Sequence, residues 1–193
     1  MTASSPPPLA DLQRDMREAY AGGGPGMFAS ALAWLAAGLV AVQVSPERAV
    51  LALFAGGMLI FPVGVLLTKA LGHRGQHTHG NPLGTLALET TVWLVLSMPI
   101  AYVVSLSRLD LFFPAMLLVI GGRYATFATM YGTRVFWVCG GVLVAAAYAL
   151  AILRSAPATG AFTGAAIEAA FAVWIVATHR SPRDTTAPPA RTR

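Results

Sequence analysis

Six stretches, near Met27–Val44, Ala49–Leu71, Leu83–Leu106, Leu111–Tyr131, Val135–Leu153 and Gly160–Thr178, are apolar almost throughout. Each approaches the ~20 residues that a helix needs to cross ~30 Å of hydrocarbon. A soluble core has no use for several such runs in one short chain. Inside lipid every backbone polar group must find its partner within the protein, so only helices and closed barrels span it. The runs lack the ten-residue alternation of barrel strands. The expected fold class is therefore all-α, a polytopic membrane helical bundle of about six transmembrane helices, preceded by a short N-terminal amphipathic helix. Composition agrees: 11% of residues are charged, against about 25% in soluble domains.

The organisation follows from the gaps between the runs. Residues 1–26 combine a Ser/Pro-rich, disordered start with a helical pattern in which Leu9, Leu12, Met16 and Tyr20 oppose Asp11, Arg14, Asp15, Arg17 and Glu18. Such a helix is expected to lie on the membrane surface, with contact to the bundle's own end as the alternative. The GGGPG stretch, Gly22–Gly26, turns the chain into the membrane. Its partial dinucleotide fingerprint, Gly24, Gly26 and Ala29, follows no strand and is set aside. No cleavable signal peptide is expected, since the first apolar run begins only at Met27. Residues 27–179 form the transmembrane domain, and residues 180–193, rich in Pro, Thr and Arg, read as a disordered cytoplasmic tail.

With the N-terminus inside, nine basic residues (Arg14, Arg17, Lys69, Arg74, Arg134, Arg180, Arg183, Arg191 and Arg193) face the cytoplasm and three (Arg48, Arg108 and Arg154) face away. The positive-inside rule then places both termini in the cytoplasm of a multi-pass protein of the cell (inner) membrane. The net charge of +5 serves orientation in the lipid bilayer. Nucleic acid is excluded as a partner, because no aromatic residues interleave the basic ones to stack on bases.

One full charge lies inside a span. Arg123 sits in LFFPAMLLVIGGRYATFATMYG, Leu111–Gly132, where a lone guanidinium costs at least ~3 kcal/mol. Counted inward from the cytoplasmic ends at ~1.5 Å per residue, Glu89, Arg123 and Glu168 lie roughly 9, 12 and 15 Å deep. Arg123 is expected to contact at least one of these glutamates, with Tyr124, Thr90, Thr91 and Ser97 able to add hydrogen bonds. Two acids to one base leave a carboxylate over, the kind of group a proton-coupled pathway uses. The leading expectation is a transporter or channel for a small solute or ion, with Arg123 binding an anionic group or holding one carboxylate ionised and Glu89 or Glu168 exchanging a proton. The alternative is a structural or accessory membrane protein in which the charges set helix register only.

Other features carry less chemistry. Gly121, Ala125 and Thr129 form one small-residue seam, and Gly122 and Thr126 a second, suited to close helix packing or to a homodimer. In the loop GHRGQHTHGNP, His73, His77 and His79 are weak metal candidates, short of a fourth ligand. His179 is expected at headgroup level with Trp174, and Cys139 as a small core residue. No GxSxG or HExxH motif is present, so the expectation is no enzyme and no cofactor. Two triplets of helices, each with an acid in its third member, suggest a loose inverted repeat.

The segments GGMLIFPVGVLLTKALG, NPLGTLALE and FFPAMLLVIGGRYATFATMYG resemble a family of small uncharacterised bacterial membrane proteins, known as a domain of unknown function. The resemblance runs from about Asp15 to Ala151 and takes in Glu89 and Arg123. It implies a bacterial integral membrane protein and assigns no activity and no functional residues.

Overall fold

The computed structural model of the chain describes residues 7–179. The expected disorder at the first residues and in the 180–193 tail lies outside them. Helix α1 spans Leu9–Ala19, and six long helices follow: α2 Gly24–Gln43, α3 Pro46–Ala70, α4 Pro82–Ser107, α5 Phe112–Tyr131, α6 Val135–Ile152 and α7 Pro157–Thr178. All six are long and apolar enough to cross a membrane by length and composition. No strand occurs among the described residues.

Several helices begin earlier than their apolar runs do. Pro25, Pro46, Pro82 and Pro157 each sit in the first turn of a helix, where a missing N–H costs nothing and the ring presets the backbone. Ser45 and Asn81 cap two of these starts, accepting hydrogen bonds from the amides of Arg48 and Leu83. The turn into α2 is made by Gly22 and Gly23 at φ 65° and 86°, a left-handed conformation that glycine adopts without steric penalty.

The six long helices form two groups of three. Helix α2 lies between α3 and α7, while α5 lies between α4 and α6; α7 meets α6 and α5 across the seam. The two consecutive triplets from which a loose inverted repeat is expected are not the groups observed, because α7, the last helix, packs against α2. Small residues make the close contacts within each group. Gly56 faces Ala33 and Gly64 faces Gly26 between α3 and α2, and Gly121 faces Gly140 between α5 and α6. Aromatic side chains fill the seam, with Trp34 against Phe113 and Phe54 against Phe112. Helices α3 and α4 keep most of their apolar surface outward, as lipid-facing helices do, and touch through Phe54 and Tyr102.

Helix α1 makes the contact with the bundle's own end that was the alternative expectation, with Met16 and Ala19 buried. Its polar face explains why. Gln13 donates to the Thr129 carbonyl and Arg17 to the Tyr131 carbonyl, satisfying backbone oxygens at the end of α5 that have no partner within the helix. Asp15 accepts hydrogen bonds from Arg74, from the amide and hydroxyl of Thr78, and from Asn81. Burial works to raise its pKa, but these donors outweigh burial and hold the carboxyl well below the usual carboxylate range.

Candidate functional site

Two consecutive residues of α5 define the site. Neighbours on a helix project about 100° apart, so Tyr124 and Arg123 address different partners. Tyr124 is buried and donates a 2.7 Å hydrogen bond to Oε1 of Glu168 on α7. Glu168 is 0% exposed, and its Oε2 has no hydrogen-bonding partner among the described residues, although the buried Ser30 of α2 lies beside it. A carboxyl group thus stands at the seam where the two helix groups meet, bonded to the Tyr124 phenol.

Arg123 points the other way, toward α4. Its Nη2 donates to the Thr91 hydroxyl at 2.8 Å, and its Cζ lies 4.9 Å from the centre of the Phe127 ring. Thr91 in turn donates to the Ala87 carbonyl. Nε of Arg123 has no partner, and none of the ion pairs among the described residues includes this guanidinium. The expected Arg123–glutamate contact is therefore corrected: a hydroxyl and an aromatic face take the place of a carboxylate, because the side of α5 that reaches Glu168 belongs to Tyr124. Arg123 lines a cavity of about 320 Å³ between α4 and α5, together with Thr90, Trp93, Leu94, Val119, Gly122 and Thr126.

Glu89 is absent from both settings. It sits on the exposed side of α4, outside the bundle interior where a charge cluster had been expected. Depth along a helix was readable from the sequence; azimuth was not. Of the accessory hydroxyls, Thr90 and Ser97 bond only to carbonyls of their own helix. Of the two small-residue seams, Gly121 packs on α6, whereas a side chain at Gly122 would meet nothing within 4 Å. Ala125 is partly buried, Thr126 lines the cavity and Thr129 is exposed.

The histidines of the 71–81 loop separate. His73 Nδ1 lies 2.9 Å from the Glu18 carbonyl and its ring 5.2 Å from that of His179, while His77 Nδ1 lies 2.9 Å from the Tyr20 hydroxyl. His79 is exposed, and no metal-binding group of three or more His, Cys, Asp or Glu residues forms among the described residues. His179, at the end of α7, packs into this end cap; burial, then His73 and Arg17, push its pKa down. Cys139 is a buried core residue. The signal that sequence reasoning missed is Asp15, whose four hydrogen bonds organise the cap.

Fold and site together define a multi-pass helical membrane protein with one buried carboxyl at its seam and one guanidinium in a side cavity. The chain belongs to a family of unknown function (DUF7010), whose model matches residues 9–178. That match extends past the resemblance read from the sequence and includes Glu168. No curated protein and no solved structure matches the chain.

Proposed function

We propose that this protein is a transporter or channel for a small solute or ion, in which Arg123 receives an anionic group and Glu168 exchanges a proton at the seam. The observation that carries the reading is the Arg123 guanidinium, set in a cavity of about 320 Å³ and in no ion pair with a carboxylate among the described residues. A charge kept at membrane depth at this cost is a mark of solute and ion pathways. The Tyr124–Glu168 bond adds a device that couples protonation to movement. Glu168 belongs to the α2–α3–α7 group and Tyr124 to the α4–α5–α6 group, so its state bears on how the groups meet. Alternating access in transporters is largely the rocking of one such bundle against another.

We further place the protein in the bacterial inner membrane with both termini cytoplasmic. Arg14, Arg17, Lys69, Arg74 and Arg134 accompany the α1 cap, while Arg48, Arg108 and Arg154 lie in the turns at the other end, the asymmetry the positive-inside rule reads.

The test is proton flux in proteoliposomes under an imposed pH gradient, across a panel of anions. The native protein is expected to carry anion-dependent proton flux, and Glu168→Gln to abolish it while remaining folded. Undiminished flux in that variant overturns the mechanism. The second reading, an accessory protein that binds another membrane protein, is favoured by the exposed Glu89; a stoichiometric partner on purification, with no flux for any anion, would select it.

A further inference from the structure

Glu89 and Arg123 share an unusual situation: each is a charge at membrane depth, and neither forms an ion pair among the described residues. Glu89 begins an exposed stripe on α4 that continues through Trp93, Leu96 and Ile100 at helical spacing, with Trp93 74% and Ile100 70% exposed. Trp93 is also a wall of the Arg123 cavity. The carboxylate and the cavity mouth therefore open on one face of the molecule. Gly122, on the cavity wall beside Arg123, has open space where a side chain would stand, which lets another helix come close.

The depths match. The 2.8 Å bond from Arg123 to Thr91 sets the guanidinium at the level of Thr91. Glu89 is two residues away on the same helix, about 3 Å along its axis. Two copies inserted in the same orientation are related by a two-fold axis along the membrane normal, and rotation about that axis changes no residue's depth. An isologous contact brings residue i to residue j and j to i, so one contact supplies two pairs.

We propose that a second copy of this chain docks on this face, with Glu89 of each copy entering the partner subunit's cavity to pair with its guanidinium. An anionic lipid would serve Arg123 and leave Glu89 facing hydrocarbon; a second copy neutralises both. The pairing does not rest on transport, since charges in hydrocarbon require it whatever the protein carries. In a transporter, the arriving anion would displace this carboxylate from Arg123.

Subunit counting by single-molecule photobleaching of the labelled full chain in lipid bilayers tests it. The native chain is expected to be a dimer. Glu89→Gln, a change at an exposed position that leaves the fold intact, should raise the dimer dissociation constant at least about tenfold. Two charge reversals sharpen the test. Glu89→Arg and Arg123→Glu should each fail to self-associate, yet pair with each other when mixed, because the mixed dimer alone restores both opposite-charge contacts. A native chain that is monomeric in bilayers, or a dimer that Glu89→Gln leaves unchanged, overturns the proposal.

Discussion

The hydroxyl of Tyr124 donates to Oε1 of Glu168 at 2.7 Å across the seam between two three-helix groups, with the buried Ser30 beside the same carboxyl group. Tyr124→Phe strands a buried carboxyl group, at a cost of about 1–3 kcal/mol. Thermal unfolding in mild detergent should show the loss. Combining Tyr124→Phe with Glu168→Leu should recover most of it, because an apolar pair leaves no polar group without a partner. A double variant no more stable than Tyr124→Phe would mean that the carboxyl group serves more than this bond.

Arg123→Met should behave differently. No carboxylate among the described residues loses an ion-pair partner, and Thr91 keeps its bond to the Ala87 carbonyl. The change in unfolding free energy is expected to stay below about 1 kcal/mol once dimer dissociation is separated from unfolding. Any anion that raises the midpoint of the native protein by linkage should lose that effect in the variant.

The α5–α6 contact should tolerate no added carbon. A Cβ built at Gly140 would lie 2.6 Å from the Gly121 carbonyl oxygen, a backbone atom that no rotamer change can move. Gly140→Ala is expected to cost about 1–3 kcal/mol. Gly141→Ala, one residue on and in open space, is the control and should be near neutral. Equal midpoints for the two variants would show that the helices separate freely there.

Asp15→Asn should loosen the α1 cap by about 2 kcal/mol, the scale of hydrogen bonds to a charged acceptor. Asp11→Asn, at an exposed i,i+3 pair with Arg14, should change little. Because the folded Asp15 carboxyl is held below its unfolded value of about 3.9, its stabilisation is complete above about pH 5 and is lost as pH falls through the depressed folded value. The midpoint difference between native and Asp15→Asn protein should therefore shrink as pH is lowered from 5 to 3.

The spans were legible because apolar length is a one-dimensional signal, and their ends shifted only where first-turn prolines extend helices backward. The site was legible in depth but not in direction. Arg123, Glu89 and Glu168 share a level, but the sequence carries nothing that says which way each turns about its axis until neighbours are known. Tyr124, expected only to add a hydrogen bond, is the bridge, because it occupies the α5 position that reaches Glu168. The placement of α1 turned on Gln13, Asp15 and Arg17, polar residues that read equally well as a solvated face. Their partners lie 59 to 116 residues away, beyond any local pattern.

The packing of α7 against α2 also fixes an order of biogenesis. Spans enter the membrane as they are synthesised, and the first of them presents Gly24 and Gly38 to a neighbour made last. Until α7 arrives, that small-residue face must be covered by lipid or by an insertion factor, and Trp34 has no Gly164 to pack on. A chain arrested after α6 would therefore hold most of its helices in the bilayer and still be unfinished, exposed to membrane quality control through its earliest span.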